Sequence, residues 1–129
     1  MVWNLIEEVG EERLIELVTA FYTRASQDMM IGFFFDDSNI PEQVVNLIHY
    51  MDTHIGRSEQ KYRGSSIRKI HQTMPILPGH FDRRHQILKD VLEEYAVPAH
   101  VRKAWLDLDL ALRDNVIKGG ARVRDELLG

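Results

Sequence analysis

Apolar residues recur every three or four positions along almost the whole chain, and no run of four or more alternates in the manner of a strand. A chain patterned that way must bury several helical stripes against one another. Leu14, Leu17, Val18, Phe21 and Ala25 form the first stripe, on a helix predicted to begin near Glu11, after Gly10. The aromatic turn Met29 to Phe35 follows, broken by Asp36-Asp37-Ser38-Asn39. Ser38 or Asn39 can cap the next helix, and Pro41 suits its first turn. Val44, Leu47, Ile48, Met51 and Ile55 share one side of that helix, which is expected to end near Gly56.

Residues 57–64 read as a loop and 65–72 as a short helix carrying His71. A long helix from about Gly79 to Ala96 turns Phe81, Leu88, Val91, Leu92 and Tyr95 inward. Pro98 opens the last helix, with Val101, Trp105, Leu108, Leu112 and Val116 inward and Gly119-Gly120 as its expected stop. The 129 residues then form one all-α domain, 1–129, with 121–129 as a loose tail.

Composition removes whole classes of function. Without cysteine there is no disulfide, thiolate catalysis, iron–sulfur cluster or thiolate zinc site. A net charge of −4 disfavours nucleic acid as a partner. No window reaches the eighteen or so uncharged apolar residues of a membrane span. The acidic start, Met1 to Gly10, does not resemble a targeting peptide, so a cytoplasmic protein is expected. Glu7-Glu8 and Glu11-Glu12 read as solvated faces near a helix N-terminus. The basic stretch Arg57 to Lys69, interrupted only by Glu59, suits a small anion rather than a polymer.

His71 ends its short helix just before a loop with Pro75, Pro78 and Gly79, which suits an imidazole held firmly against a flat partner. It also suits an ordinary helix-end histidine favoured by the dipole. Around it stand Tyr62-x-Gly64, with six residues between Gly64 and His71, and His80-Phe81 beyond. Phe21-Tyr22 lies on the first long helix, and Phe35 follows Tyr22 by thirteen residues. A spacing of four puts Gln43, Leu47 and Met51 on one stripe.

This joint spacing, from about Glu11 to Val116, resembles the truncated (2-on-2) globins of the bacterial type. The resemblance implies a globin-like helical sandwich around haem b, with His71 as the iron's proximal ligand. It implies Tyr22 and Gln43 as distal hydrogen-bond donors, and Phe34, Phe35, Leu47, Met51 and Phe81 as the haem's apolar wall. Arg57, Lys61, Tyr62 and Arg68 are the implied propionate partners. Dioxygen, carbon monoxide and nitric oxide are the implied ligands, with a reductase as possible electron donor and a monomer or weak homodimer as the expected state. Oxygen binding and transport, nitric oxide dioxygenase activity and peroxidase-like activity all fit.

Three positions depart from the family pattern. Only one glycine, Gly10, precedes the first long helix where many relatives have two. One extra residue lies between Gly56 and Tyr62. Arg84 stands thirteen residues after His71, where relatives usually carry tryptophan or a smaller apolar residue facing the pocket. A buried guanidinium must find an acid, a propionate or solvent, which makes Arg84 a candidate cofactor contact.

The other histidines have plainer readings. His80 is a helix-start residue at the rim, while His85 and His100 are surface residues. His49 and His54, five apart, share no stripe for a paired metal site, although His54 falls on the Leu47–Met51 side, near a haem edge. Phe33, Phe34 and Phe35 are expected in the core, with the methionines as gap-fillers. A rival of a different class is a haem-free globin-fold sensor or interaction module, with Arg84 filling part of an emptied pocket. A four-helix carboxylate metal protein is disfavoured, because no helix carries Glu-x-x-His inward.

Overall fold

The structure, a computed structural model, describes residues 3–55 and 76–128, with side chains as far as Arg113. Among the described residues there are five α-helices and one 3-10 turn, and no strand. The helices are α1 (Leu5–Val9), α2 (Glu11–Gln27), α3 (Ile40–His54), α4 (Pro78–Glu94) and α5 (Ala99–Leu128). The 3-10 turn is Gly32–Phe35.

Local chemistry sets the helix starts. Asn4 Oδ1 accepts from the N–H groups of Ile6 and Glu7, at 2.9 and 3.3 Å, opening α1. Asn39 caps α3 by accepting from Glu42 N–H at 3.1 Å, and Pro41 sits in the first turn. At the start of α4 the His80 ring reaches back, its Nδ1 accepting from Leu77 N–H at 3.1 Å. Gly10 joins α1 to α2 at φ +97°, a conformation that strains any residue with a side chain.

α2 packs against α3 and α4 against α5, and α2 also lies on α4, so two helix pairs stack two over two. α1 closes over α2 and α3. The core between them holds Phe21, Leu88, Leu92, Val101 and Trp105, all fully buried. Three ties brace the outside of this stack. Arg24 pairs with Glu94, Arg83 Nε donates to Asp28 Oδ2 at 2.8 Å, and Arg113 Nε donates to Asp82 Oδ1 at 3.1 Å. The all-α, globin-like arrangement expected from the sequence is the one observed.

Some details differ from expectation. The five-residue α1 is an added helix, legible mainly by its cap. α5 does not stop at Gly119-Gly120 but continues to Leu128. Each interior glycine costs a helix about 1 kcal/mol, which good helix formers such as Ala121, Arg122, Glu126 and Leu127 can offset.

Phe33, expected in the core, is 56% exposed, and Phe34 and Phe35 are only partly buried. A 3-10 turn carries three residues per revolution, so three successive side chains cannot all face inward. Met29 and Met30 are likewise exposed, beyond the end of α2, whereas Met51 is fully buried.

Candidate functional site

The described residues among those expected to line the site lie on α2, the 3-10 turn, α3 and α4. Tyr22 points into the core from α2, its ring edge-on to Phe21 at 5.0 Å and to Phe35 at 6.0 Å. Leu47 and Met51 on α3 belong to the same buried cluster as Tyr22, with Phe34 and Phe35 packed against it. Gln43, one turn before Leu47, is partly exposed. Gly32 lets the aromatic turn approach α2 so closely. A Cβ there would stand 2.6 Å from the Ser26 carbonyl oxygen, with no flexible side chain to yield.

His80 is a helix-start residue as expected, and its ring stands edge-on to Phe33 and Phe34, at 5.9 and 5.0 Å. Phe81, the next residue, is buried. His54 is exposed and not turned inward. Its Nδ1–H donates to the Tyr50 carbonyl at 2.8 Å, and its ring stacks on Tyr50.

Arg84 finds an acid. Its Nη1 donates to Asp109 Oδ1 at 2.6 Å, across from α4 to α5. His85 Nδ1–H donates to the other oxygen, Oδ2, at 2.7 Å. His85 is therefore not a surface histidine; it is mostly buried, held by a carboxylate and stacked on Phe81. The guanidinium carbon of Arg84 lies 5.1 Å from the Phe21 ring centre and 5.8 Å from that of Phe81, inside cation–π range.

Asp109 itself is fully buried. Burial alone would push its pKa up, but the Arg84 charge and the two hydrogen bonds win and hold it below the usual carboxylate value. Burial likewise opposes the charge on Arg84, and Asp109 reverses that, keeping the guanidinium ionised.

Asp109 escaped the sequence reading, although a signal for it exists. It stands four residues after Trp105 and eight after Val101, on the inward stripe of α5, where an acid has no place without a partner. His71, Arg57, Lys61, Tyr62 and Arg68 lie outside the described residues. The described side chains offer an apolar wall, a tyrosine beside an aromatic edge, and one anchored cation. That set fits a flat, largely apolar prosthetic group such as haem on its distal side.

The comparisons agree with this architecture. The family model for bacterial-like globins matches residues 4–117. The fold is similar to the crystal structure of a Synechococcus sp. PCC 7002 globin, described with a heme modification, with a TM-score of 0.68. That likeness covers 89% of this chain and 98% of the other, at 20% identity. No curated protein matches the chain at a significant level. A match over residues 4–117 spans nearly the whole domain, and the chain belongs to the bacterial-like globin family.

Proposed function

We propose that this chain is a haem-binding globin that reversibly takes dioxygen, carbon monoxide and nitric oxide. The observation that carries the reading is the gathering of Tyr22, Leu47 and Met51 into one buried apolar cluster, with Phe35 packed against it and edge-on to the tyrosine. Membership of the globin family and the heme named for the Synechococcus globin support it.

In this reading His71 would hold the iron, and Arg57, Lys61, Tyr62 and Arg68 would pair with the propionates. Haem supplies an iron that binds small ligands and passes electrons. Phe34, Phe35, Leu47, Met51 and Phe81 exclude water from the group. The Tyr22 hydroxyl and the Gln43 amide would donate to a ligand that gains negative charge on binding. Oxygen storage, nitric oxide oxidation and peroxidase-like turnover all draw on these donors. The last two also need a reductase to return the iron to its working state.

Carbon monoxide titration of the reduced, haem-loaded chain tests the reading. It predicts a saturable, reversible carbonyl spectrum with one site per chain. A haem-loaded chain that takes up no carbon monoxide contradicts it.

A haem-free sensor is the second reading, favoured by one observation. The charge of Arg84 is already balanced by Asp109, without a propionate. The colour of the purified protein separates the two.

A further inference from the structure

We propose that Arg84 makes the ligand site beside Tyr22 selective for small inorganic anions over carbon monoxide, with Asp109 as its positioning residue. This inference rests on the haem reading above and names the ligand class it favours.

A guanidinium carries five N–H donors in a fixed plane. Arg84 spends Nη1 on Asp109, and among the described residues Nε and Nη2 have no hydrogen-bond partner. The side chain is 22% exposed, enough for a small ligand to reach it and too little for full hydration.

Its neighbours fix its pose. Phe21 and Phe81 take its contacts within cation–π range, so the donor edge is what remains for a ligand. The guanidinium lies 5.1 Å from the Phe21 ring centre, and the Tyr22 ring stands 5.0 Å from that same ring. The free donors and the tyrosine therefore belong to one neighbourhood.

Asp109 does not cancel this field. Its two oxygens are divided between Arg84 and His85, so the carboxylate's charge is shared by two donors. The pair is a fixed dipole, its negative end buried and its positive end carrying unused N–H groups. An anion such as fluoride, azide or nitrite gains a charge-assisted hydrogen bond there, about twice as strong as a neutral one. Carbon monoxide, uncharged and a poor acceptor, gains little.

The test uses the full haem-loaded chain. Fluoride affinity is titrated on the ferric form and carbon monoxide affinity on the ferrous form, for wild type, Arg84→Lys and Arg84→Gln. Arg84→Gln is expected to weaken fluoride about tenfold or more while changing carbon monoxide less than about threefold, the loss of one charge-assisted bond. Arg84→Lys retains most of the preference. Should Arg84→Gln fold poorly because Asp109 is stranded, the double variant Arg84→Gln/Asp109→Asn removes the charge without the stranding and carries the same expectation.

Asp109→Asn alone releases the guanidinium from its seat. The C–O stretching band of the carbonyl form, narrow in wild type, is then expected to broaden or split, which a purely structural role for Asp109 would not cause. A fluoride-to-carbon monoxide ratio unchanged within about twofold in Arg84→Gln, beside a normal Soret band, overturns the inference. The same holds if Arg84→Gln loosens haem itself and leaves the ratio intact, which would assign Arg84 to a propionate. A wild-type chain with no Soret band contradicts the haem reading instead.

Discussion

Arg84 and Asp109 sit 2.6 Å apart between Nη1 and Oδ1, joining α4 to α5 through a carboxylate with no exposed surface. Taking both charges out of water costs several kcal/mol, and their attraction plus the His85 hydrogen bond offsets it. Removing one partner leaves the other stranded. Asp109→Ala should therefore cost about 3–5 kcal/mol of unfolding free energy, measured by urea denaturation. Replacing both with apolar residues, as in Arg84→Met/Asp109→Leu, should recover most of the loss. A loss below about 1 kcal/mol for Asp109→Ala would mean the pair contributes no more than a surface ion pair.

The same carboxylate sets a pH dependence. Its pKa is below the ordinary value in the folded chain, so its contribution is fully present above the unfolded value, about 3.9. It is lost as the pH falls through the folded value. The stability gap between wild type and Asp109→Asn should be constant from neutral pH to about 5 and shrink below about 4. Asp28, whose pKa is also lowered, adds acid sensitivity of its own, but it is common to both chains and cancels in the difference. A gap that widens on acidification contradicts the assignment.

Tyr22 tests the distal face. In the haem-loaded protein Tyr22→Phe should speed dioxygen dissociation about tenfold, the loss of one hydrogen bond to a partly charged ligand. Carbon monoxide dissociation should move much less. Stopped-flow ligand displacement reads both, and an unchanged oxygen off-rate removes Tyr22 from the mechanism.

Gly32 tests the packing that brings the aromatic turn to α2. A Cβ at Gly32 would meet backbone, the Ser26 carbonyl, at 2.6 Å. Gly32→Ala should cost about 1–3 kcal/mol in thermal or urea unfolding, as overpacked positions do. A neutral result would show that the turn can shift away from α2 at little cost.

Much of this was legible in the chain itself, because caps and stripes are local. Asn39 with Pro41 marks the start of α3, and Pro78 that of α4. The stripe Leu14, Leu17, Val18, Phe21 defines α2 without any tertiary information. The approach of Tyr22 to Phe35 follows from their spacing once the family is considered.

What escaped depends on tertiary pairing. Asp109 and His85 are unremarkable in a linear reading, and only the meeting of α4 with α5 turns them into partners of Arg84. The direction of Phe33 is set by the 3-10 turn, which no periodicity over four residues can reveal. α1, with a single fully buried residue in Leu5, offers too little pattern to be read as a helix.

The most direct measurement is a haem titration of the wild-type chain beside His71→Ala, followed by the Soret band and by melting temperature. Wild type should bind haem one to one, show a Soret band and melt at higher temperature as haem is added, since a ligand of the folded state stabilises it by RT ln(1 + [L]/Kd). His71→Ala should lose most of that affinity and show an altered spectrum. A wild-type chain without a Soret band, or a His71→Ala chain indistinguishable from wild type, contradicts the account.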